Sequence, residues 1–316
     1  MRKLRLGLLA GLLLLAGCGT GNPVKKDGHS IVVTVFPEYE WVSAVLGDNP
    51  AGIEVTILEE SGADLHSYQP TAQDVMKIAD CDLFVYVGGE SDRWVADALK
   101  ESVNPDQKVI SLLDVLGEGA KREEYVEGME TEDDGEEPEL DEHVWLSLRS
   151  SEVLVKEIGK AISELDPENR QVYEANTADY TAKIEQLDEQ YRTVVSEAAY
   201  DTLIFGDRFP FRYLADDYGL NYYAAFSGCS GETEASFETI LFLAGKMDEL
   251  QLPHIMKMEG SDGKIARAVI ENTKAGNADI LTLNSMQGIT GADIKNGVTY
   301  LQIMNENLQV LNDALN

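Results

Sequence analysis

Histidine, cysteine and positive charge are all scarce here: the 316 residues include 4 histidines, 3 cysteines and 25 lysines plus arginines, set against 57 aspartates plus glutamates. The formal net charge of -32 excludes nucleic acid as a partner, because that needs a basic surface to displace counterions, and it makes cations the natural guests. Three cysteines are too few for a disulfide framework, and none stand at the CxxC spacing of a metal or redox motif. The sequence also lacks an HExxH motif, a nucleophile elbow and any obvious general base beside a histidine, which argues against an enzyme. A zinc-dependent hydrolase remains the alternative from a different class, since it would use the same residue types around an open metal position.

Long apolar runs are equally rare. The one near the start, Leu6 to Leu15, is short for a spanning helix, follows Arg2, Lys3 and Arg5, and leads into "LAGC" ending in Cys18. That order is the pattern of a secretory signal followed by a lipobox, so residues 1–17 are expected to be removed and Cys18 to carry a lipid. The globular part is then extracytoplasmic, held at the bacterial cell membrane by a tether over residues 18–30. Cys81 and Cys229 remain, and sequence alone leaves open whether they pair or stay as free, buried thiols.

What is present is a repeated alternation of strand and helix. "IVVTVF" (31–36), "IEVTIL" (53–58), "LFVYVG" (83–88) and "KVISLL" (108–113) read as buried strands, with a helix after Pro37 and another capped by Thr71 and Asp74. A second series follows, "TLIFG" (202–206), "YYAAF" (222–226), "HIMKM" (254–258) and "DILTL" (279–283), again with helices between and a final helix from about Asn296 to Leu315. Between the series, Asp166 and Pro167 open an unbroken helical stretch to about Glu197, roughly 45 Å at 1.5 Å per residue, long enough to bridge two lobes. The expected class is therefore α/β: an N-terminal lobe over 31–165, a linking helix over 166–198 and a C-terminal lobe over 199–316. Each lobe carries a mainly parallel sheet flanked by helices. The acidic run within 118–142 has no apolar periodicity and reads as a mobile, solvated loop that could also concentrate cations.

Two histidines fall where functional groups usually sit in such folds, on loops after strands: His66 in "GADLHSYQPTAQDV" and His143 directly after the acidic run. Imidazoles with nearby carboxylates suit zinc and other transition ions. His29, in the tether, and His254, opening a strand, read as structural.

Taken together, "VVTVFPEYEWVSAVLGD", "GADLHSYQPTAQDVMKIADCDLFVYVGGESDRW", "DEHVWLSL" and "TYLQIMNENLQVL" resemble the solute-binding lipoproteins of bacterial zinc and manganese ABC importers, the metal-binding cluster A-I family, over nearly the whole mature chain. The resemblance implies a class III-type periplasmic binding fold: two lobes on one rigid helix, little hinge motion, and a metal held between them. It implies a monomer that delivers Zn2+, or alternatively Mn2+ or iron, to an ABC permease subunit. It carries the first two ligands onto His66 and His143. The third position lands on Arg208, which keeps its proton and cannot ligate, so Asp207 is the expected substitute unless it is tied up with Arg208 or Arg212. The fourth lands on Asn284, and Glu259 takes the place of a glutamate that orients a ligand. This donor set favours zinc, because manganese wants more oxygen anions.

Overall fold

The computed structural model describes residues 28–130, 138–231 and 234–316; the signal segment, Cys18 and most of the tether lie outside the described residues. The first lobe runs β1 (Ser30–Val33), α1 (Phe36–Leu46), β2 (Glu54–Ile57), α2 (Ala72–Asp80), β3 (Leu83–Tyr86), α3 (Val95–Ala98), β4 (Lys108–Ser111), α4 (Leu112–Leu116) and α5 (Leu148–Leu165). Its strands pair in the order β2-β1-β3-β4, and every pairing is parallel. Ile31, Val32 and Val33 are all buried, as a strand covered on both faces requires. Thr71 and Asp74 form the reciprocal cap that starts α2.

The second lobe contains β5 (Thr202–Phe209), α7 (Arg212–Tyr218), β6 (Asn221–Ser227), α8 (Phe237–Leu250), β7 (His254–Met258), α9 (Lys264–Glu271), β8 (Asp279–Leu283), α10 (Gly291–Lys295) and α11 (Tyr300–Leu315), after the long helix α6 (Arg170–Glu197). Its sheet is also parallel, in the order β6-β5-β7-β8. The closing helix was expected from Asn296. Instead Thr290 caps a separate short helix, Gly297 takes φ 85°, and Thr299 caps α11.

The 28 residues of α6 span about 42 Å and touch both lobes. Near its start Asn176 donates to the Val45 carbonyl (2.9 Å) of α1, and near its end the Tyr191 hydroxyl donates to the Met304 carbonyl (2.7 Å) of α11. One hydrophobic cluster runs through both halves, from Ile31, Val33 and Val85 across Ile184 and Leu187 to Phe205 and Met256. Trp145 of the first lobe donates its indole N–H to the Ser285 carbonyl of the second (2.8 Å), and Gly291 N–H reaches the Glu60 carbonyl (2.9 Å). A continuous apolar core crossed by polar ties, one of them buried, resists hinge opening, since opening would expose that surface to water.

The expectation of a free acidic loop needs correction for its described portion. Arg122 and Leu140 form an antiparallel bridge, so the described ends of the run are paired. Beyond the bridge it lies against the second lobe. Glu130 N–H donates to the Ala225 carbonyl (2.9 Å), and its carboxylate accepts from the Ser236 N–H (2.7 Å) and the Thr239 hydroxyl (2.8 Å) at the start of α8. The Glu130 carboxylate, set at the N-terminus of α8, seats this part of the run on the second lobe.

Candidate metal centre

The candidate residues sit on loops, in a fold whose open parallel sheets leave a crevice outside the carboxyl ends of the strands. His66 lies in a short 3-10 turn, Leu65–Ser67, after β2; Asp64 caps that turn by accepting from the His66 N–H (3.1 Å). His143 opens a second such turn, Val144–Leu146, and is fully buried. The two imidazole centroids stand 5.4 Å apart with planes 61° to each other.

Each ring is fixed through Nδ1. His143 Nδ1 donates to Asp141 Oδ1 (2.8 Å), which also accepts the His143 backbone N–H (2.9 Å). His66 Nδ1 meets the Ser91 hydroxyl (2.8 Å), with Glu142 Oε2 at 3.4 Å. Glu142 is itself held by the Ser91 N–H (2.7 Å). Both Nε2 atoms are buried without a hydrogen-bond partner. Carboxylate and hydroxyl partners on Nδ1 orient an imidazole and leave the Nε2 lone pair to a metal.

The electrostatics separate the two rings. Burial, with His143 and Arg208 nearby, pushes His66 down to about 3 against the pull of Asp64, so it is neutral at physiological pH. Burial also disfavours a charged His143, but the hydrogen bond and charge of Asp141, with Glu123 and Glu142, carry it above its usual value. Burial raises Glu142 to about 7.

The structure does not bring Asp207 to the histidines. Its Oδ1 accepts the Arg208 N–H (2.9 Å) and its Oδ2 the Met258 N–H (3.2 Å), so both oxygens serve the backbone of their own sheet. Arg208 is the residue that faces the first lobe: its guanidinium pairs with Asp64 and donates to the Ser230 carbonyl (3.2 Å). Asn284 is likewise committed, capping the Met286 N–H (2.8 Å) while its backbone N–H and carbonyl are held by Asn307 (both 2.8 Å). Glu259 accepts from the Ser285 N–H (2.7 Å) and hydroxyl (2.6 Å), and so braces the loop after β8 rather than an imidazole. Of that loop it is Gln287, with a buried and unpartnered amide oxygen, that lines a small cavity with Leu65 and Trp145. His29 lies beside Asp82 (3.5 Å) and His254 opens β7.

What the sequence reading missed is Cys229. It follows β6 by two residues, and its Sγ, one ring nitrogen of His66 and one of His143 all lie within 4.8 Å of one another. Glu123, Asp141, His143 and Cys229 form a second such group. Burial, then Glu123 and Asp141, pushes the Cys229 thiol well above its ordinary value. Cys81 is a separate, buried free thiol on the far face of the first sheet, so the two do not pair. The available signal was positional: a glycine-flanked cysteine at the carboxyl end of a strand.

Two parallel-sheet lobes on one long helix, with a buried and a half-buried imidazole side by side at the crevice, define a metal-binding class of periplasmic binding fold. The chain belongs to the family described as "ZnuA: Zinc-uptake complex component A periplasmic", whose model matches residues 31–314. It is 30% identical over 320 residues to the high-affinity zinc uptake system protein ZnuA of Bacillus subtilis, covering 98% of this chain and 96% of that one. It is 32% identical over 319 residues to the zinc-binding lipoprotein AdcA of Streptococcus pneumoniae, covering 98% of this chain and 60% of that one. The crystal structure of the Zn(II)-bound ZnuA-like domain of that species' AdcA superimposes with a TM-score of 0.71 at 29% identity, covering 91% of this chain and 99% of that domain. The chain spans little more than half the length of the curated AdcA relatives it matches.

Proposed function

We propose that this protein captures a divalent transition metal outside the cytoplasm, with zinc as its cargo, and hands it to the permease of an ABC importer. It acts as a carrier and not as an enzyme. The observation that carries this reading is the pair of imidazoles, His143 fully buried and His66 half-buried, 5.4 Å apart, each fixed through Nδ1 and each with a buried Nε2 that has no hydrogen-bond partner. Burying two such nitrogens without a partner costs free energy that a bound cation recovers. Nitrogen donors suit zinc, whereas manganese favours an oxygen-rich shell that Asp207 and Asn284, committed elsewhere, do not supply. The welded lobes fit a carrier whose site is largely formed before the ion arrives. The lipobox cysteine, Cys18, would anchor a monomer to the outer face of the membrane, within reach of the permease.

Calorimetric titration of the apo protein with zinc and with manganese, side by side, tests the reading. Stoichiometric zinc binding, far tighter than manganese, is the expected result. Equal affinities, or manganese binding the tighter, would replace the cargo. No binding of either would make the protein a relic of the fold in which Arg208 has displaced the metal.

A further inference from the structure

Cys229 is unusual in where it sits and in how firmly it is held. The turn that carries it is fixed by Glu123, a buried residue of the acidic run, whose two carboxylate oxygens accept the N–H groups of Gly228 (3.3 Å) and Cys229 (3.0 Å). Gly228 packs so closely on the exit of β5 that a Cβ there would stand 2.9 Å from Pro210 Cα and 3.0 Å from the Phe209 carbonyl oxygen. The turn that carries the sulfur is therefore held by a first-lobe carboxylate and by the second lobe's own backbone rather than left as a loose loop. A ring nitrogen of His66 and one of His143 lie within 4.8 Å of that sulfur, and the Nε2 of each histidine is buried without a hydrogen-bond partner. Among the described residues no other histidine, cysteine or carboxylate joins both imidazoles in one group.

We propose that Cys229 is the third protein ligand of the metal, bound through Sγ as a thiolate beside Nε2 of His66 and His143. The proposal rests on the metal-carrier reading above and names the chemistry that sets its cargo. In a tetrahedral zinc site, with Zn–N near 2.0–2.1 Å and Zn–S near 2.3 Å, donor atoms stand roughly 3.3–3.8 Å apart. Three donors already within 4.8 Å of one another need only a small contraction to close on the ion. Coordination replaces the S–H bond with an S–metal bond and releases one proton to solvent, with no change in oxidation state. Asp141 and Glu123 remain outside the ligand shell, where Asp141 orients His143 and Glu123 holds the thiol in place. A thiolate selects borderline-soft ions over manganese, and this accounts for a site that keeps its preference for zinc with Arg208 where a third ligand was expected.

Cobalt(II) titration of the reduced, apo full-length protein tests the assignment, because a thiolate ligand gives cobalt an intense near-ultraviolet sulfur-to-metal charge-transfer band that imidazole does not. The wild type should show that band. Cys229→Ser should lose it, keep the weaker ligand-field bands from the histidines, and bind zinc at least tenfold more weakly. Zinc-edge X-ray absorption on the wild type gives a readout that needs no variant: one sulfur neighbour at about 2.3 Å is expected. Cobalt spectra identical in wild type and Cys229→Ser, or a zinc shell of nitrogen and oxygen alone, would overturn the proposal while leaving the carrier reading intact. Failure of the wild type to bind cobalt or zinc would overturn both.

Discussion

Arg208, at the end of β5 in the second lobe, forms an ion pair with Asp64 of the first lobe, two residues before His66. The pair ties the two lobes beside His66 and balances the charge of the guanidinium with a carboxylate. Burial alone would raise Asp64, but the Arg208 charge and hydrogen bond pull its carboxyl below the usual range.

Removing the guanidinium should therefore cost stability without costing metal. With side chains about a quarter exposed or less, 20% for Arg208 and 26% for Asp64, the pair lies between surface and buried limits, and a double-mutant cycle should give a coupling of about 1–3 kcal/mol. Zinc affinity of Arg208→Ala should hold or rise. A loss of affinity as large as that of a histidine variant would place Arg208 in a supporting role for the ion.

His66→Ala and His143→Ala should each weaken zinc binding at least tenfold, measured by competition with a chromophoric chelator. Asp141→Asn should weaken it by about 10–100-fold, because the carboxylate that fixes the ring and strengthens Nε2 as a donor is lost while the shape is kept. An unchanged Asp141→Asn variant would mean that burial alone orients His143.

The β-α alternation, both four-stranded sheets and the long helix were legible because buried parallel strands and capped helices leave periodic, local signals. His66 and His143 were singled out from their loops, one after the second strand and one after the acidic run, and the structure brings their rings to 5.4 Å. Asp207 misled because adjacency in sequence says nothing of which way a strand residue faces, and the backbone N–H of Met258 claims its carboxylate. Cys229 and Glu123 were invisible as a pair because they lie 106 residues apart and meet only when the acidic run folds across the second lobe. Charge density alone made that run look solvated.

The lobes meet closely at Gly62, which has φ 69° and would place a Cβ 2.8 Å from the Gly288 carbonyl oxygen. Gly62→Ala combines a left-handed backbone penalty of about 1–2 kcal/mol with a clash against main chain that cannot rotate away. Urea unfolding should show a loss of at least that size. A midpoint equal to wild type would show that the interlobe seam is looser than this packing implies.

Glu59 gives a pH signature. Burial, then Asp64 and Asp92, raises it from 4.5 to about 8, and its Oε1 has no hydrogen-bond partner. The folded state therefore binds a proton that the unfolded state has released, so this residue costs stability progressively as pH rises from about 4.5 to about 8. Glu59→Gln should match wild type near pH 4.5 and exceed it above about pH 8 in denaturant midpoint. Parallel curves for the two proteins would place the Glu59 pKa near its ordinary value.

The most direct measurement of the central claim is the metal content of the full-length protein purified without chelators, read by native mass spectrometry beside the His66→Ala/His143→Ala double variant. One zinc per chain in the wild type and none in the variant is the predicted result. A metal-free wild type that also fails to take up added zinc, or a variant that retains a full equivalent, would contradict it.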